Sequence, residues 1–282
     1  TRRELDSQRR RVDAPLVTQA PPEIREMVLS ELRGALWPRF VTLQAPWTER
    51  GMSRWLTLIK PDGPHPTLVV GAFAGDLLVG TLVGFWSSTP LARFDDLFGE
   101  MVGVPASTRP EGGVWHLVGV TLDPRARGRD LGRAIVSTAL ACIARQRGTD
   151  VCTMSPAFGL AALGQRLSSL GISDPLGAAV WRLTDSQGRP ALPVMRLHMG
   201  AGASLAALVR ESRHDDAQSA RCNLRFVYPR TDVATVAGKR QYAAWLERRR
   251  RAIERGSTRP IEMADGAERW LIDDIEMATG GV

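Results

Sequence analysis

The stretch that most constrains the fold runs from Val114 to Cys152. Val114 to Leu122 is apolar and rich in β-branched residues and is broken at Asp123-Pro124, the pattern of a largely buried strand. A turn of arginines around Gly128 follows. Leu131, Ile135, Val136, Ala139, Leu140 and Ile143 then recur at helical spacing until Gly148 supplies a stop, and Asp150 to Met154 opens another strand. A glycine-containing turn feeding a helix directly gathers free backbone N–H groups at one spot, and the helix dipole adds partial positive charge there. Such a spot binds phosphate.

The flanking chain supplies the rest of an α/β unit. Pro21-Pro22 precedes Glu23 to Leu36, where Ile24, Met27, Val28, Leu32 and Leu36 keep helical spacing. Gln44 to Arg54 reads as a loop or short helix. Leu68 to Ala74 and Leu77 to Trp86 read as strands joined across Gly75-Asp76. Ser87 to Gly113, with Pro90, Pro105 and Pro110, is a long insertion, either a substrate-covering lid or a solvated loop. Phe158 to Leu170 and Ser204 to Val209 read as helical, and Asn223 to Tyr228 as a final strand ended by Pro229. Val233 to Arg255 carries a dense arginine run and reads as a solvated amphipathic helix, with another helix over Ala267 to Ala278. The division is therefore an N-terminal linker over 1–20, one catalytic domain over 21–230 and a C-terminal helical extension over 231–282.

Composition narrows the classes. Formal charge is +7 over 282 residues, with many arginines in Arg2 to Arg11 and Arg248 to Arg255. A basic balance serves nucleic acid, an anionic membrane surface or acidic ligands. No nucleic-acid-binding motif is present, which leaves acidic ligands. Cys142, Cys152 and Cys222 lack metal-ligand spacing and read as buried thiols in a reducing compartment. No apolar run is long enough to span a bilayer and no signal peptide opens the chain, so the expected location is the cytoplasm. The start at Thr1 fits a domain cut from a longer polypeptide.

The turn Arg127-Gly128-Arg129-Asp130-Leu131-Gly132 resembles the acyl-CoA pyrophosphate loop of the GNAT acyltransferase superfamily, whose pattern is Arg or Gln, two residues, Gly, one residue, Gly or Ala. The resemblance implies a mixed, mostly antiparallel sheet, splayed at the thioester and flanked by helices. It also implies that Leu122, Arg127, Gly128, Arg129, Gly132 and Arg133 hold coenzyme A or a phosphopantetheine arm. Asp130 departs from the pattern by standing where the first glycine is usual. A carboxylate there should weaken CoA binding unless its side chain turns away.

Downstream, Thr153-Met154-Ser155-Pro156, then Arg196 to Ala201, then Ser212 to Asp216, then a strand ending in Tyr228 resemble the GNAT-like decarboxylase domains of polyketide synthase loading modules, of curacin and gephyronic acid type. That group acts on malonyl-class thioesters, with acyl transfer to a carrier protein also proposed. Carried over, the resemblance makes His198 and Thr153 catalytic, with Ser155 a second hydroxyl two residues on. Trp47, His116 and Arg213 become substrate-binding candidates. Each has a plainer use: a core tryptophan, a satisfied buried histidine, and a surface arginine paired with Asp215 or Asp216.

The residue types suit the reaction. Loss of CO2 from a malonyl thioester leaves an enolate, and a donor aimed at the thioester oxygen lowers that barrier. Imidazole can donate there and titrate near neutrality; a threonine hydroxyl can position the acyl group without adding charge. No metal is required. The expected partners are an acyl carrier protein and neighbouring synthase domains, which the run Arg248 to Arg251 could also meet. Two alternatives stay open: an acyltransferase acting on a carrier thiol or an amine, and a non-catalytic CoA- or carrier-binding domain.

Overall fold

In the computed structural model, Val114–Leu122 forms β4 of a seven-stranded sheet in the order β1-β2-β3-β4-β5-β8-β7. Residues 21–47, 67–87, 113–126, 130–145, 150–212, 216–228, 234–263 and 266–273 are described. The other strands of the sheet are β1 (Glu23–Glu26), β2 (Thr67–Ala74), β3 (Leu77–Ser87), β5 (Asp150–Pro156), β7 (Ser204–Val209) and β8 (Asn223–Tyr228). A small second sheet, β6-β10-β9, joins β6 (Leu183–Thr184) to β10 (Glu268–Ile272) and β9 (Thr258–Glu262).

Seven helices complete the described fold: α1 (Leu29–Arg33), α2 (Trp37–Trp47), α3 (Leu131–Ala144), α4 (Leu160–Ser169), α5 (Pro175–Trp181), α6 (Pro193–Gly200) and α7 (Ala234–Glu254). The six apolar residues that predict α3 are all buried, and α3 packs along β1 to β4. Burying each larger aliphatic side chain there stabilises the fold by about 1.5–3 kcal/mol. The opposite face of β2 to β4 is covered by α2, with Leu32, Phe40 and Leu43 in a second core against Val83, Phe85 and Val118.

One pair in the large sheet is parallel, β4 with β5. Their ladder runs from Val114↔Asp150 to Leu117↔Thr153 and stops, although β4 continues to Leu122 and β5 to Pro156. Beyond Thr153 the edge of β5 is held by β8 instead, through Ser155↔Leu224 and Pro156↔Asn223. The sheet therefore splays at its centre. Just past the split, Gly119 and Val120 of β4 oppose Leu82 alone, and Gly119 takes φ +66°. This is a bulge that needs the left-handed freedom of glycine.

Four local readings are corrected. Glu23–Glu26 is strand, not the start of a helix, because it pairs with Val70 to Phe73 along the edge of β2. Helix α2 runs through Gln44 to Trp47, where a loop or short helix is expected to begin. Ser204–Val209 is strand β7, held by β8, despite a helix-favouring Leu and Ala content. Glu268–Ile272 is a strand between β9 and Leu183–Thr184. The α7 helix is present as expected, but its inner face is not solvated: Tyr242 and Trp245 pack on the core and Arg249 is fully buried. Residues 1–20, most of the 87–113 insertion, and Arg213 with Asp215 lie outside the described residues. Among those described, no helix is long and apolar enough to cross a membrane.

Candidate active site

The splay gathers four polar side chains. Thr153 and Ser155, two apart on β5, point to one face, and their hydroxyl oxygens lie 3.3 Å apart. The pairing of β5 with β8 puts Phe226 opposite Thr153 and Tyr228 opposite Val151. His198, in the last turn of α6, drops onto this face. Its Nε2 lies 2.9 Å from Ser155 Oγ and its Nδ1 lies 2.7 Å from the Tyr228 hydroxyl, while its ring tilts over Phe226 at 4.7 Å. Thr153, Ser155, His198 and Tyr228 thus form one hydrogen-bonded run.

All four are buried, His198 to 2% exposure. Burial alone moves the His198 pKa, down to about 3, so the imidazole is neutral at pH 7. The same burial pushes the Tyr228 phenol well above its ordinary value. Charge is excluded on both sides of the ring. The chemistry open to such a run is hydrogen-bond donation to a developing anion, not abstraction of a proton from an ammonium group.

The expected phosphate end is the start of α3. The N–H groups of Leu131, Gly132 and Arg133 have no acceptor within the helix, whereas Ala134 N–H already reaches Asp130 O at 3.0 Å. Gly132 is buried between α6 and β4: a Cβ there would stand 3.3 Å from Leu197 Cδ1 and 3.6 Å from Leu122 Cδ1. Its lack of a side chain lets the helix start touch the helix that carries His198. Asp130 takes φ +52° and ψ +16°, the left-handed conformation that explains why glycine is usual there. Its carboxylate points outward, 78% exposed and 3.6 Å from Arg133 Nη1. Upstream, Asp123 is gripped by Arg39 and Arg125, which hold its carboxyl far below the usual range and tie α2 to the end of β4. Arg127, Gly128 and Arg129 lie outside the described residues.

The remaining candidates fall elsewhere. His116 pairs with Cys152, one residue before Thr153, so it lies on the opposite face of the sheet. There its Nε2 meets Ser87 Oγ at 2.8 Å and its Nδ1 meets Cys152 Sγ at 3.1 Å, a satisfied buried histidine. The structure does not bring it to the His198 run. Trp47 closes α2, and nothing of its side chain is described. Arg213 lies outside the described residues. The sequence marks Tyr228 only as the end of a strand; its place on the face of Thr153 follows from the pairing of Phe226 with Thr153 and alternation along β8.

No protein-family model matches the chain, and no curated protein matches it in sequence. Solved structures do. The GphF GNAT-like decarboxylase in complex with isobutyryl-CoA superposes with TM-score 0.52 at 20% identity, covering 73% of this chain and 97% of that one. Malonyl-CoA decarboxylase from Cupriavidus metallidurans gives 0.52 at 15%, over 85% of this chain and 68% of its own. The loading GNATL domain of CurA from Lyngbya majuscula gives 0.50 at 15%, over 74% and 98%. At these identities the likeness is one of architecture: the chain has the GNAT fold, in the form that GNAT-like decarboxylases share.

Proposed function

We propose that the chain removes CO2 from a malonyl-class acyl thioester, carried on CoA or on an acyl carrier protein, and so supplies a starter unit for polyketide assembly. The observation that supports this most is the neutrality of the buried run Thr153–Ser155–His198–Tyr228 at the splay. Acyl transfer to an amine needs a base at neutral pH. A histidine held near 3, with burial as the sole cause of its shift, is a poor one.

Decarboxylation asks for the opposite. Breaking the bond between the α-carbon and the carboxylate releases neutral CO2 and moves the electron pair onto the thioester oxygen as an enolate. The Tyr228 phenol is a stronger acid than neutral imidazole, so it donates to Nδ1 and leaves the His198 proton on Nε2. Nε2–H then faces Ser155, whose own O–H is free to point toward Thr153 or toward the substrate. A line of donors converges where the enolate charge appears, in a site closed to water. Thr153, at the point where β4 and β5 part, positions the acyl group. The quenching proton for the α-carbon passes from the Ser155 hydroxyl at the substrate end of the run, and the run regains it from solvent when the product leaves. The N–H groups at the start of α3 that have no acceptor within the helix, with Arg133, hold the phosphates of the handle.

The test is intact-mass analysis of malonyl, methylmalonyl and dimethylmalonyl thioesters, on CoA and on carrier protein, after incubation with the chain. The expected change is loss of one CO2. An unchanged mass would replace the reading with a binding role, and movement of an acetyl group from acetyl-CoA onto a carrier thiol would replace it with transfer.

A further inference from the structure

The mechanism uses Arg133 but leaves Arg189 and Arg196, beside α6, without a role. Arg196 and Gly200 lie one turn apart on the same face of α6. The Arg133 guanidinium rests on Gly200, where a Cβ would come 3.1 Å from both Nε and Nη2. Arg196 and Arg189 meet at Asp185, with Arg189 Nε 2.6 Å and Arg196 Nη2 3.8 Å from Oδ2. All three guanidinium groups lie within electrostatic reach of the Tyr242 hydroxyl, and Arg133 starts the group in the first turn of α3.

Two carboxylates meet them: Asp130, largely exposed and 3.6 Å from Arg133 Nη1, and Asp185, whose Oδ1 already accepts from the N–H groups of Gln187 and Arg189, each at 2.9 Å. The side chains stay accessible, at 44, 48 and 32% exposure for Arg133, Arg189 and Arg196. Burial lowers the Arg196 pKa, and the like charges of Arg189 and Arg269 push the same way against Asp185. A dianion seated there would relieve that repulsion.

We infer that Arg133, Arg189 and Arg196 form a phosphomonoester site for the 3′-phosphate of coenzyme A, adjoining the pyrophosphate turn at the start of α3. Guanidinium forks match phosphate oxygens in pairs. A carrier-borne phosphopantetheine arm has no adenosine and cannot fill this site. The inference rests on the thioester reading of the splay and deepens it: the handle the site is built for is CoA.

Binding, not turnover, tests it. Calorimetry would compare CoA, 3′-dephospho-CoA and 4′-phosphopantetheine with the wild-type chain and with Arg189→Gln and Arg196→Gln. The expected result is wild-type affinity about tenfold higher for CoA than for dephospho-CoA, a gap that closes in both variants while phosphopantetheine affinity changes little. Equal wild-type affinities for CoA and dephospho-CoA would overturn the site without recourse to any variant. So would a gap that survives both substitutions. Failure of all three ligands to bind would overturn the thioester reading and the inference together. Absence of CO2 release alongside the tenfold gap would remove the proposed reaction and leave the phosphate site standing.

Discussion

Replacing Tyr228 by Phe removes one oxygen atom and isolates the role of the His198–Tyr228 bond. The ring stays: Phe226 still packs on the imidazole at 4.7 Å, and the β8 backbone pairing is untouched. What goes is the 2.7 Å partner of Nδ1, in a site where the histidine is 2% exposed and no water replaces it easily. A buried polar atom left without its partner costs about 1–3 kcal/mol, and a loss of that size felt in the transition state is roughly 10- to 100-fold in rate. The bond also selects the tautomer that keeps the proton on Nε2, so the loss should fall on kcat. The assay is CO2 release with kcat and KM separated, beside thermal unfolding. The expected result is a 10- to 100-fold drop in kcat with KM within about twofold of wild type. A lowered melting temperature with kcat intact would reduce Tyr228 to a structural residue and refute the donor line.

Other perturbations probe the surrounding structure. His198 sits at about 3 in the folded chain against an ordinary 6.5, so the unfolded chain binds a proton that the folded one refuses. Stability should be full above about 6.5 and fall as pH drops toward about 3, by up to about 5 kcal/mol. Urea titrations of His198→Gln should show a flatter acid limb, and an unchanged limb would place the acid sensitivity elsewhere. Asp130→Gly relieves a left-handed residue and removes a carboxylate from the phosphate turn, so it should stabilise by about 1 kcal/mol and tighten CoA binding. A lower melting temperature would contradict this. Gly238→Ala would drive a Cβ into Gly202 O, forcing α7 away from the turn after α6 at a cost of about 3 kcal/mol. Wild-type stability in that variant would mean the two backbones are not so close.

The parts of the fold legible in the sequence are those whose pattern is local. The β4–turn–α3–β5 unit and the β2–β3 hairpin announce themselves through periodicity and turn residues, with no reference to distant partners. Glu23–Glu26, Ser204–Val209 and Glu268–Ile272 read as helical in the sequence because each is a short strand made by its neighbour. Leu183–Thr184, which pairs with β10, is more than eighty residues away in the chain. The same distinction divides the site. His198, Thr153 and Ser155 are singled out by their resemblance to a motif, and their side chains lie within hydrogen-bond reach of one another in sequence Thr153–Ser155–His198. Tyr228 was visible only as the end of a strand, because nothing local tells where its hydroxyl points. Arg249 belongs to an arginine run that reads as solvated, yet it stacks on Trp245 and donates to Trp181 O at 2.8 Å. Its burial follows from how α7 docks, which spacing along one helix does not reveal.

The central claim is that the neutral run at the splay expels CO2 from a malonyl-class thioester. Its most direct test is the rate of CO2 release from malonyl-CoA by the wild-type chain beside His198→Ala, both shown to be folded. The account expects release by the wild type and a loss of at least about a hundredfold in the variant. No release by the folded wild type from malonyl, methylmalonyl or dimethylmalonyl thioesters, or equal release by both proteins, would contradict it.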